Sequence, residues 1–220
     1  LADHAAAHAV ELGSILPEEI EPELSRHGVI VREKDGRLLA TTMRLIREED
    51  YLIGFAAYGR GSVCPPGVPK GLTRTLAGGG ELNDGQWEAV QNLLNTSNCV
   101  SLVQGPAGSG KSWMLKKLDE GLRLSGRSVT YLAATTDAAR VLQAEGFDAK
   151  TVAHFLLDEQ LQNSARNGHL MVDESSLLGH QAAHALCRIA QANDTRVTFI
   201  GDPRQHPSVP RGSLMRLLTE

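Results

Sequence analysis

Cys99-Val-Ser-Leu-Val-Gln-Gly-Pro-Ala-Gly-Ser-Gly-Lys-Ser112 is the stretch on which the reading of this chain turns. A short apolar run enters a Gly-rich turn and leaves it as a segment of helical period, with Leu115, Leu118 and Leu122 on one face. Gly105, Gly110, Lys111 and Ser112 fit the P-loop spacing G-x-x-x-x-G-K-[ST]. Each part has a job. Gly105, Gly108 and Gly110, with Pro106, Ala107 and Ser109 between them, let the backbone curl so that successive N–H groups point at one phosphate. A helix starting near Gly110 adds its positive end. Lys111 can reach the β- and γ-phosphates, and the Ser112 hydroxyl can ligate Mg²⁺. A nucleoside triphosphate with Mg²⁺ is therefore the expected ligand.

Working outward, the chain alternates apolar strands with helices from Glu81 onward. The pattern predicts strands at 99–104, 128–133, 169–173 and 196–200 and helices at 84–94, 137–145, 151–161, 178–192 and near 214–218, besides the one that starts near Gly110. That alternation implies an α/β fold: a parallel sheet covered by helices on both faces. Ligands of such sheets collect at the C-terminal strand ends, where Gly105, Thr135, Asp173 and Gly201 fall. Residues 1–60 read as a separate small α+β domain. Two short helices, 4–12 and 17–27, precede a hairpin about Lys34-Asp-Gly36, and a third helix runs from Met43 to Tyr58. This order is winged-helix-like, and a plain packing domain fits it equally. Residues 61–80, within the Gly- and Pro-rich stretch from Gly59 to Gly80, read as a linker, and the stretch's Arg60, Lys70 and Arg74 are either solvated or set along a phosphate backbone.

Composition removes several classes. With 220 residues, 41% of them hydrophobic, there is enough for one sizeable core or a core and a satellite. A net charge of −4 excludes a globally basic nucleic-acid binder, so any such contact is a local patch. No apolar run approaches the roughly 20 residues of a membrane span. Leu1-Ala-Asp-His is no signal peptide, and a first residue other than Met is expected of a piece of a longer protein. Cys64, Cys99 and Cys187 are odd in number and widely spaced, which points to a reducing compartment, the cytoplasm.

Two further motifs carry chemistry. Met171-Val-Asp-Glu174 ends an apolar strand in two carboxylates. Asp173 there can hold Mg²⁺ directly or through water, and Glu174 can orient or deprotonate the attacking water. Ser175 and Ser176 follow and can join that network. Val197-Thr-Phe-Ile-Gly-Asp-Pro-Arg-Gln-His-Pro-Ser-Val209 delivers Asp202 and Gln205 to the same rim. Gln205 can donate to a γ-phosphate while accepting from water, the dual character a γ-phosphate sensor needs.

At this point the chain resembles superfamily 1 DNA helicases of the RecD-like branch, which carry Gly-Asp-x-x-Gln-Leu where this sequence has Gly201-Asp-Pro-Arg-Gln-His206. Three more stretches agree in order and spacing. Leu82-Asn-Asp-Gly-Gln-Trp-Glu-Ala-Val90 resembles the adenine-reading Q element, which makes Gln86 the base-reading residue. Ala133-Ala-Thr-Thr-Asp-Ala-Ala-Arg140 resembles motif Ia, so Thr135 and Thr136 would contact a single-strand backbone. Thr151-Val-Ala-His-Phe155 resembles the DNA-facing motif after it, with Thr151 and His154. Over 81–220 the resemblance implies a RecA-like motor lobe that binds ATP and Mg²⁺ and works on single-stranded DNA. More loosely, 1–60 together with the Gly-rich stretch resembles the helicase segment of MobF-type conjugative relaxases. That implies a bacterial parent chain with an N-terminal relaxase and a second RecA-like lobe carrying an arginine finger.

Other classes compete. One is a helicase-like module that binds single-stranded DNA without turnover; another is a P-loop kinase of small molecules. Intact Gly110-Lys-Ser112 and Asp173-Glu174 disfavour the first, and Gln86 with Gly201-Asp-x-x-Gln205 disfavours the second. His4/His8 and His180/His184 have i, i+4 spacing, but each lacks a third metal ligand.

Overall fold

The computed structural model describes residues 28–34, 37–105, 110–202 and 214–219. The two helices expected before residue 28 lie outside the described residues, as do Asp35 and Gly36 at the hairpin tip. The chain divides into two compact units, Leu1–Tyr51 and Leu52–Glu220.

In the first unit, β1 (Val29–Lys34) pairs antiparallel with β2 (Arg37–Thr42), from Val29 opposite Thr42 to Lys34 opposite Arg37. That register is the hairpin the Asp-Gly pair announces. Helix α1 (Met43–Tyr58) follows at once, its first turn held by the Leu45 N–H donating to the Thr42 hydroxyl. The helix runs on into the second unit, where Leu52 is buried.

The second unit holds a five-stranded sheet in the order β3-β7-β6-β4-β5, every neighbour parallel. Its strands are β3 (Val100–Gln104), β4 (Val129–Ala133), β5 (Ala149–Thr151), β6 (His169–Asp173) and β7 (Arg196–Gly201). The helices are α2 (Asp84–Asn95), α3 (Lys111–Leu124), α4 (Thr136–Ala144), α5 (Val152–Leu157), α6 (Glu159–Ser164), α7 (His180–Ala192) and α8 (Leu214–Leu217). Residues alternate between sheet faces. Met171 and Ile200 join one core cluster with Val90 and Leu94 of α2, Leu115 and Leu118 of α3 and Leu142 of α4. Their strand neighbours Leu170, Val172 and Phe199 are buried outside that cluster, as are Leu186 and Ala190 of α7. Cover on both faces explains why β6 and β7 read as continuous apolar runs.

Three details differ from the sequence reading. The helix expected at 151–161 is two: Thr151 caps α5 by accepting from the His154 N–H, and the Asp158 carboxylate accepts from the Leu161 N–H and starts α6. The Asp158 cap offers a better end than a continued turn. Strand β5 was not expected, since three residues carry no period. Residues 61–80, read as a linker, lie along the motor lobe. Val68, Leu72 and Leu76 recur every four residues and pack on the core cluster. The Gly67 N–H donates to the Leu94 carbonyl at 3.0 Å, the Leu82 N–H to Arg74 at 3.0 Å, and the buried Lys117 ammonium to Thr75 at 2.6 Å. Arg74 is paired with Asp84 at 2.8 Å.

His169 offers a pH test of the sheet's interior. It is 3% exposed, and its Nε2 lies 2.7 Å from the Thr198 hydroxyl. Burial, then the Arg196 and Arg127 charges, pushes its pKa from 6.5 down to about 3. Below pH 6.5 the unfolded chain binds a proton that the folded chain refuses, so this site costs stability as pH falls from 6.5 towards 3. Denaturant titrations of the wild type and His169→Gln should differ in slope by about 1.4 kcal/mol per pH unit in that window. Parallel curves would mean that His169 is not held neutral.

Candidate nucleotide site

Strand β3 ends at Gln104, and the N–H of the next residue, Gly105, donates to the Gly201 carbonyl of β7 at 3.3 Å. Pro106, Ala107, Gly108 and Ser109 lie outside the described residues. The chain resumes at Gly110, whose φ of +74° suits glycine, and α3 begins at Lys111. A Cβ on Gly110 would stand 2.4 Å from Gln86 Nε2, so a side chain there would push the Gln86 amide aside. Lys111 Nζ donates to the Gly105 carbonyl at 3.0 Å, across the mouth of the loop. Ser112 Oγ donates to Glu145 Oε1 at 2.7 Å.

Asp173 ends β6, and β7 stands between β6 and β3. Two strand spacings therefore separate Asp173 from the P-loop strand, about 10 Å. Asp173 Oδ1 is buried and has no hydrogen-bond partner among the described residues, and the same holds for Glu145 Oε2. Burial pushes the Asp173 carboxyl up; the Glu145 charge adds to the rise, while the Glu174 N–H and the Lys111 charge oppose it. Glu174 sits in the left-handed region at φ 48°, ψ 35°, and opens a 3₁₀ turn over Ser175–Leu177. A non-glycine residue there is held by its surroundings. Those include Ser175, whose hydroxyl donates to the Ile200 carbonyl of β7 at 2.9 Å. Ser175 thus fastens the β6 and β7 ends together and is fully buried.

Gln86 lies in the first turn of α2. Its Oε1 accepts from the Asn83 N–H at 3.0 Å, and the Asn83 side chain accepts from the Gln86 N–H at 2.9 Å, a capping box. Its Nε2 faces the Gly110 carbonyl at 3.4 Å. A cleft of about 250 Å³ opens beside it, lined by Gln86, Ala89, Val103, Gly105, Lys111 and Met114 among others. Apolar wall residues with the amides of Asn83, Gln86 and Gln104 and one ammonium suit a base joined to phosphates.

Thr135 lies two residues beyond the end of β4 and Thr151 ends the neighbouring β5, since Ala133 of β4 pairs with Thr151. Each caps a helix by accepting an N–H, Thr135 from Ala138 at 3.2 Å and Thr151 from His154 at 3.1 Å. A hydroxyl so used still has its proton to donate outward. Thr136 and His154 are exposed, and His154 Nε2 lies 3.4 Å from Asp158. Asp202 follows β7 at the same rim; Gln205, with Arg204 and His206, lies outside the described residues. Glu145 was missed in the sequence. It is 33 positions from Ser112 in the chain, and no local pattern announces a partner at that distance. Among the described residues no group of three His, Cys, Asp or Glu could hold a metal by itself. No described helix is long and apolar enough to cross a membrane.

Residues 81–220 match a family described as an AAA domain. The chain is also 30% identical over 147 residues to the multifunctional conjugation protein TraI of Escherichia coli K12, covering 62% of this chain and 8% of that protein. A second TraI of Escherichia coli is 29% identical over 160 residues, covering 68% and 9%. The conjugal transfer protein TraA of Rhizobium radiobacter is 24% identical over 155 residues, covering 69% and 14%. The chain thus spans a small part of these relatives' lengths. By a match that covers well over half its residues, the chain belongs to the AAA-domain family of P-loop proteins, in keeping with the RecD-like helicase and conjugative-relaxase resemblance of its motifs.

Proposed function

We propose that this chain is the ATP-binding motor lobe of a DNA helicase that moves on single-stranded DNA in conjugative transfer. The observation that carries the reading is the pairing of Lys111 and Ser112 at one strand end with Asp173 two strands away, its buried Oδ1 unpartnered. Such an oxygen costs free energy unless something satisfies it, and a divalent cation fits it. When bound, Mg²⁺ neutralises phosphate charge. In this reading Lys111 leaves the Gly105 carbonyl for the β- and γ-phosphates, and the backbone from Gly105 to Gly110 cradles them. Ser112 and Asp173 hold the cation. Glu174 takes a proton from the attacking water, and Gln205 with Asp202 senses the γ-phosphate. Gln86 exchanges its capping bond for the adenine edge.

The wider assignments belong to the same proposal: residues 1–60 as an accessory domain ahead of the lobe, and a second RecA-like lobe and a relaxase in a longer cytoplasmic bacterial parent. Thr135, Thr136, Thr151 and His154 would grip phosphates of the strand. Affinity for single-stranded DNA should fall as salt rises, with a slope set by the lysines and arginines that neutralise phosphates beside these uncharged hydroxyls. Anisotropy with oligo-dT and a mixed-sequence strand should give matching affinities, and Thr136→Ala should weaken both without changing the melting temperature. Binding that ignores salt, or that selects one sequence strongly, contradicts this track.

A further inference from the structure

We propose that Glu145 is a positioning residue on the cation side of this site: it takes the Ser112 hydroxyl proton in a hydrogen bond and so turns the Ser112 lone pairs towards a bound divalent cation. The inference rests on the P-loop reading above. Ser112 Oγ donates to Glu145 Oε1 at 2.7 Å, the length of a charge-assisted O–H···O⁻ bond. A hydroxyl has one proton and two lone pairs. Once the proton is committed to Glu145, a cation meets only lone pairs, and Ser112 needs no reorganisation to ligate it.

The second observation is the other Glu145 oxygen. Oε2 is buried and unpartnered, as is Asp173 Oδ1, and the Glu145 charge is felt at Asp173. Two buried carboxylate oxygens have no donor among the described residues, one of them on the carboxylate that holds the Ser112 hydroxyl, and a cation would satisfy both. Glu145 is also held firmly enough to serve. Its backbone N–H closes the end of α4 on the Val141 and Leu142 carbonyls at 3.1 and 3.2 Å. Gly146, at φ +95°, then turns the chain into Phe147, whose ring packs on Tyr131 with centroids 4.4 Å apart. A simpler role, in which Glu145 only stabilises the first turn of α3, leaves Oε2 unexplained.

The test is the Mg²⁺ dependence of binding of a fluorescent, non-hydrolysable ATP analogue, with melting temperature measured alongside. In the wild type Mg²⁺ should tighten binding. Glu145→Ala should cut that tightening about tenfold while cation-free affinity changes less than twofold. In a Ser112→Ala background Glu145→Ala should add little, because the hydroxyl it orients is gone. The near-isosteric Glu145→Gln, which keeps the packing, should lose at least threefold of the tightening and covers the case where Glu145→Ala does not fold. Unchanged Mg²⁺ tightening with a lowered melting temperature would overturn the proposal in favour of the structural role. A wild type that binds no analogue, with or without Mg²⁺, would instead overturn the P-loop reading on which it rests.

Discussion

Glu174→Gln, in a chain carrying both motor lobes, is expected to bind Mg·ATP as the wild type does and to lose turnover by about 10²–10⁴-fold, the usual worth of a positioned general base. The amide keeps the shape of the carboxylate but cannot take a proton from water. Fold damage is not expected, since Glu174 owes its left-handed backbone to its surroundings, including the Ser175 bond to Ile200, and glutamine can adopt the same conformation. Asp173→Asn should do the opposite: weaken Mg²⁺-dependent binding first, because its buried Oδ1 is the atom in need of a cation. Equilibrium binding and steady-state hydrolysis, measured on both variants, separate the two roles. Wild-type hydrolysis by Glu174→Gln would assign the base to another residue.

Lys111→Ala should weaken nucleotide binding by roughly 100-fold, the equivalent of losing a charge-assisted contact worth about 3 kcal/mol. Among the described residues it donates to the Gly105 carbonyl at 3.0 Å, across the loop rather than in the core. The melting temperature should therefore move by a few degrees at most. Unchanged affinity in a folded variant would remove the P-loop assignment.

What could be read from sequence is what is written locally. Strand β6 and helix α1 match their expected bounds because period and termini lie within each segment. Gly110 announces its positive φ, and Asp173 its place at a strand end. The missed features have partners far along the chain. Ser112 meets Glu145, Lys117 meets Thr75, and Arg196 donates to carbonyls of Thr96 and Cys64. The Gly and Pro count of 61–80 hid a four-residue apolar spacing that matters only once α2 and α3 exist to receive it. Gln86 is the mixed case. Its role by resemblance is adenine reading, yet here it caps α2 and braces Gly110, so one residue ties helix, loop and proposed base site together.

The central claim, an ATP-driven motor lobe working on single-stranded DNA, is tested most directly by steady-state ATP hydrolysis with and without single-stranded DNA. The 220-residue chain should be run beside a longer version carrying the proposed second lobe. An arginine finger is worth about 10³–10⁵ in rate in comparable phosphoryl transfer. The account therefore expects slow hydrolysis by the chain alone, and strong stimulation by single-stranded DNA only in the longer version. Hydrolysis indifferent to DNA in both, with the γ-phosphoryl passed to a small-molecule acceptor, would contradict it.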